Sequence, residues 1–432
     1  MMRRHTLLPL MVGSLGCGIL PPAPLQGQDM PRVRQTIATL ASPAFHGRGY
    51  VSGGEQKAAQ YLQRRFRQLG LQPLSPDFRQ PFTLPINTFP GRAALQVDGK
   101  ALRPGFDFIA EAASGSGNLR GSVYELDTLI FSQPAAQNVL LATDLRQTVL
   151  VLHQRASRKL SALPEPVQNH LATAAARITL VPKLTATLAG QQLPQPQLEV
   201  LATAWPQPVQ TVRLQLDARL QPAYQTQNII GYLPGLAKPD SFLVVTAHYD
   251  HLGRLGKHTY FPGANDNASG TAMLLELAAH YARPENRLAY SLVFISFGAE
   301  EAGLLGSRYF TEHPLVPLAR IRFLLNLDLL GTGSEGATVV NGRVFERQFR
   351  QLQDLNTINW HLPSLTARGR AANSDHYYFS ERGVPAFFLY TRGSIAAYHD
   401  VQDRAATLPL TAFSGTFHLL RDFLNSQGDT MK

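Results

Sequence analysis

A chain of 432 residues that is 44% hydrophobic and only 16% charged can bury a large core, which excludes intrinsic disorder and predicts one large domain with an appended or inserted unit. The formal charge of +10 comes from scattered basic residues, as in 64–67 and 343–350, with no long basic run interleaved with aromatics, so no nucleic-acid partner is expected. Cys17 is the single cysteine, which rules out a disulfide within the chain.

The first residues read as a secretion signal: Arg3 and Arg4 precede a mostly apolar run over 6–20, and a Pro-containing stretch leads to a cleavage site expected near Gly27. Removing residues 1–27 would take Arg3, Arg4 and Cys17 away, lowering the charge to +8 and leaving no thiol for catalysis. The run is short and broken by Gly and Pro, so a stable membrane span is not expected, and no later segment offers one. Gly16 before Cys17 would suit a lipid-modified cysteine, but Ser14 stands where a lipoprotein signal carries a large aliphatic residue. Export to the periplasm or the medium is therefore the expectation.

Residues 31–70 repeat apolar positions at three- and four-residue spacing (Ala58, Tyr61, Leu62, Phe66, Leu69) and stop at Gly70, predicting a helix pair. The segment 73–105 turns strand-like, with a short alternating run over 93–97. Residues 91–225 are rich in Gln, Pro, Ala and Leu and contain strand candidates at 148–153 and 178–181 around a helical candidate at 167–176. This predicts an inserted smaller α/β or β-rich domain. From 226 to 432 strand and helix alternate, with apolar runs at 242–247, 288–297, 323–327 and 384–390, and a helix over 269–281 with Met273, Leu274, Leu277, Ala278 and Tyr281 on one face. Together with 28–90, this predicts an α/β domain whose mostly parallel mixed sheet is covered by helices on both sides.

Such sheets bind ligands beyond the carboxyl ends of their strands, and the residues there are nearly all metal-ligand types. The first apolar run leads into His248, Tyr249 and Asp250; Asp266 precedes a helix; the next run opens onto Glu300 and Glu301; the third ends at Asp328; and His399 follows the last. A lone strand-end histidine is usually a structural hydrogen-bonder, and a lone Glu-Glu pair usually a solvated loop. Their joint appearance at successive strand ends points to a metal site, where one bridging carboxylate could hold two zinc ions about 3.5–4 Å apart. Asp250, two residues along the strand, points the same way as His248 and could orient its imidazole, and Asp403 could support the site from beyond His399.

The stretches His248-Tyr249-Asp250, Asn265-Asp266-Asn267-Ala268-Ser269-Gly270, Ala299-Glu300-Glu301-Ala302-Gly303, Asn326-Leu327-Asp328 and Tyr398-His399 resemble, in order and approximate spacing, the signatures of the co-catalytic di-zinc aminopeptidases. The similarity extends to residues 40–49 and to Ser374-Asp375-His376. The resemblance implies a zinc-exopeptidase fold, two Zn2+ ions, and substrates that are peptides or proteins with a free amino terminus. It assigns His248 and Asp328 to one zinc, Glu301 and His399 to the other, Asp266 as the bridge, and Glu300 as the general base. Residues 91–225 weakly resemble the protease-associated domain of some members. One departure is Ala371, where some members place an oxyanion-holding tyrosine; Arg370 and Tyr377 are its neighbours. Glutaminyl cyclases share much of the pattern but differ in the bridging loop, and relatives that act as binding modules have lost ligands that this chain keeps.

Overall fold

The computed structural model describes residues 28–393 and 395–428. The expected signal segment 1–27, with Cys17, lies outside the described residues. Four strands, Tyr290–Phe297, Lys238–His248, Ile321–Leu327 and Ala386–Thr391, run parallel at the centre of a nine-stranded sheet. Their near-continuous apolar character follows from burial on both faces. Alternate side chains enter opposite cores: Leu243, Val245, Phe294 and Phe323 lie in one, and Val244, Val293, Ile295 and Leu324 in the other. Helices Gly54–Gln68, Gly270–Tyr281 and Phe413–Gln427 supply Phe66, Met273, Phe417 and Phe423 to the first core, whereas Leu305–Glu312 and His376–Glu381 supply Phe310 and Phe379 to the second.

A second, eight-stranded sheet takes all its strands from between Ala93 and Leu216, with Gly117–Glu125, Thr148–His153, Ala176–Val181 and Gln197–Leu201 parallel in its middle. Helices Pro134–Ala142 and Glu165–Leu171 cover one face. The other face packs into a core that also takes Leu252, Leu255, Phe261 and Val401 from the larger unit, so the two units share buried surface. The helix expected over 167–176 ends at Leu171 because Ala176 is already paired with Val149 in the sheet. The strand Arg219–Leu233 runs through the expected boundary at 225/226 and pairs with Arg79–Thr88, so two antiparallel strands join the units. Among the described residues no helix is long and apolar enough to cross a membrane.

Candidate active site

The expected ligand residues converge beyond the carboxyl ends of the parallel strands. His248 ends its strand, Asp328 follows Leu327 directly, Glu300 and Glu301 follow Phe297 across a short turn, and His399 lies on the loop after Thr391. Two groupings form around Asp266. Its Oδ1 lies 3.3 Å from His248 Nε2, which is also 3.4 Å from Asp328 Oδ1. Its Oδ2 lies 3.1 Å from His399 Nε2, which is also 3.1 Å from Glu301 Oε2. Glu300 lies farther off, 4.0 Å from His248 Nε2 and with its side chain 12% exposed, although with His248 and Glu301 it forms a third group that could hold an ion.

The loop bearing Asp266 is fixed by its own small polar residues. Asn267 Nδ2 donates to the Leu327 carbonyl, the Gly331 amide donates to Asn265 Oδ1, and the Leu330 amide donates to Ser269 Oγ. These bonds tie the loop to the segment that carries Asp328. Gly263 has φ +58°, and a Cβ there would collide with the Asp266 carbonyl and the Arg48 guanidinium. Ala299, Leu329 and His399 are left-handed at φ 59°, 57° and 55°, a conformation that residues with a Cβ hold only where their surroundings over-determine it.

Several residues support the ligands from behind. Arg48 is fully buried and spends its guanidinium on five backbone carbonyls, those of Tyr249, Leu40, Pro262, Gly263 and Asp266. Asp403 accepts from the amides of Asn265 and Asp266, so its support goes to the bridging loop. Ser374 Oγ donates to Asp328 Oδ2. His251 Nδ1 lies 2.6 Å from Glu301 Oε1, and His251, Asp266 and Glu301 also form a group that could hold an ion; His399 Nε2 lies 3.1 Å from both Asp266 and Glu301.

Asp250 departs from its expected contact. Its carboxylate is 3.8 Å from His248 Nδ1, whereas its backbone carbonyl is at 3.2 Å and takes the hydrogen bond. The carboxylate is occupied elsewhere, accepting from Tyr50 Oη and from the amides of Glu300 and Glu301. It therefore sets the turn that presents both glutamates. Arg370 pairs with Glu381 at 2.8 Å, and Arg368 and Asn373 line the cleft instead, together with Leu329, Phe388, Tyr390 and Tyr398 around about 180 Å³.

Charge is strongly coupled here. Burial opposes a charge on the His399 ring, but Glu301 and Asp266 outweigh it and raise the pKa to about 11. Burial and Asp266 push the Glu301 carboxyl up, and His399 and His251 outweigh them to leave it at about 2. Burial holds Glu300 well above the usual carboxylate range; His248 opposes that rise and Glu301 adds to it. Four carboxylates in one buried volume call for compensating cations.

The donor set fits zinc. Tetrahedral zinc with ligands at about 2.0–2.1 Å has ligand-to-ligand edges of about 3.3 Å, and in each grouping the imidazole Nε2 lies 3.1–3.4 Å from both carboxylates. Asp328 Oδ1 is buried without a hydrogen bond, leaving a free lone pair toward His248. His248, Asp328 and Asp266 would hold one ion, and Glu301, His399 and Asp266 the other.

Residues 228–424 match the family described as Peptidase family M28. The chain is similar to Aminopeptidase YwaD of Bacillus subtilis (36% identity over 167 residues, 37% of this chain and 34% of that one). It is also similar to Leupeptin-inactivating enzyme 1 of Streptomyces exfoliatus (28% over 205 residues, 47% and 44%), so it spans less than half the length of either curated relative. Among solved structures, the zinc aminopeptidase BSAP from Bacillus subtilis superposes with a TM-score of 0.68 at 21% identity, covering 93% of this chain and 95% of that one. The Peptidase M28 precursor from Shewanella amazonensis gives 0.65 at 14%, covering 93% and 96%. These likenesses establish the fold.

Proposed function

We propose that the protein is an exported zinc-dependent aminopeptidase of the M28 type that removes amino-terminal residues from peptides or proteins, a reading supported by the match of residues 228–424 to peptidase family M28. The observation that carries this reading is Asp266, whose two oxygens face two different imidazole and carboxylate pairs, as a carboxylate shared by two ions must. Export rests on the charged and apolar pattern of residues 1–27, and residues 91–225 are read as a protease-associated-like insert.

Two zinc ions, when bound, acidify water and polarise the scissile carbonyl. Glu300 is the base: it takes the proton of the attacking water and passes it to the departing amine. Burial raises the Glu300 pKa, which makes its carboxylate a stronger base toward the proton of water. Asp250 keeps Glu300 in place through its amide, and the partly exposed Glu300 side chain faces the cleft.

The test is to incubate the protein with aminoacyl anilides and with amino-terminal glutaminyl peptides, with and without chelator. Chelator-sensitive anilide release is expected. Pyroglutamate formation without anilide release would replace this reading with a cyclase.

A further inference from the structure

The two groupings around Asp266 are supported from different places. His248 Nδ1 is held by the carbonyl of Asp250, and Asp328 by the hydroxyl of Ser374, so the first is supported from within the larger unit. His399 is held from outside it. Its Nδ1 lies 2.9 Å from the carbonyl of Ala186, 213 residues away in sequence, and the Ala186 amide donates to the His399 carbonyl at 3.0 Å. Ala186 belongs to the smaller unit, on the segment between the strands Ala176–Val181 and Gln197–Leu201.

The contact around this clasp is broad. Lys183 Nζ donates to the Ala396 carbonyl at 2.9 Å, and Val401 is buried in the same core as Leu184, Ala186 and Phe108. The loop from 396 to 401 is thus pinned to the smaller unit on both sides of His399. That pinning accounts for a left-handed His399. A carbonyl on Nδ1 also keeps the proton there and leaves the Nε2 lone pair toward Asp266 and Glu301.

We propose that the smaller unit is a working part of one metal position: Ala186 is a positioning residue that holds His399 ready to bind the ion shared with Glu301. The other position, at His248 and Asp328, does not depend on it. This proposal rests on the two-metal reading above.

The test uses the full chain with two variants. Ala186→Pro removes the amide donor to His399, and Val401→Ala is a milder loosening of the same contact that serves if the first does not fold. Stepwise zinc affinities are measured by competition with a chromophoric chelator, alongside the unfolding midpoint of the zinc-free protein. One affinity should fall by about tenfold or more while the other stays within about twofold, and saturating zinc should restore kcat. Two affinities that weaken equally, or that both stay unchanged in a folded variant, would overturn the proposal. Wild-type protein that holds fewer than two zinc ions would instead bring down the two-metal reading, and this proposal with it.

Discussion

Glu300→Gln is expected to lower kcat by about 10²–10⁴-fold, the usual contribution of a positioned general base, while KM and zinc content stay near their wild-type values. The amide keeps the shape of the side chain but cannot accept a proton from water and pass it on. Zinc is retained because the ligand distances of 3.1–3.4 Å involve His248, Asp266, Asp328, Glu301 and His399, and Glu300 lies outside both groupings. Steady-state kinetics on an aminoacyl anilide, with metal analysis of the same preparation, reads both quantities. Loss of zinc together with activity would make Glu300 a ligand and not the base.

Arg48→Met should destabilise the fold by at least about 3 kcal/mol, because each buried acceptor left without a donor costs about 1–3 kcal/mol. Five carbonyls lose the Arg48 donor at once, although that of Gly263 still accepts from the Ala268 amide, and those of Gly263 and Asp266 belong to the bridging loop. Burial lowers the Arg48 pKa to about 10, partly offset by Asp266 and Asp403, so the guanidinium is still charged at neutral pH. Arg48→Lys should rescue little, since an ammonium has three donors at one point and cannot span the same carbonyls. Chemical denaturation of wild type and both variants measures the effect. A loss below about 1 kcal/mol in Arg48→Met would show that water or repacking satisfies those carbonyls.

The parallel sheet and the metal cluster were legible because both leave marks in local sequence. An apolar strand buried on two faces has to be a continuous apolar run, and the polar residue ending it stands out, as His248 and Asp328 do. Asn265, Asn267 and Ser269 are visible too, but their work, tying the bridging loop to 327–331, depends on contacts more than 60 residues distant for two of them. Arg48 falls within the resembling stretch 40–49, but its role is not legible there because its partners are backbone carbonyls, which no side-chain pattern encodes. His251 stands beside a recognisable motif, yet its partner Glu301 lies 50 residues on. The strand Arg219–Leu233 is hidden by Gln221, Gln225, Thr226 and Gln227, polar residues paired along a ribbon, of which Thr226 and Gln227 are buried and bonded to Glu55.

Asp266 is proposed to join two metal positions in one catalytic site. The most direct measurement is to titrate metal-free protein with zinc, counting bound equivalents while following aminoacyl anilide hydrolysis. Two equivalents per chain are predicted for the wild type, with hydrolysis appearing as they bind, and Asp266→Asn should lose both the stoichiometry and the activity. Saturation at a single equivalent with full activity, or full activity in metal-free protein, would contradict the account.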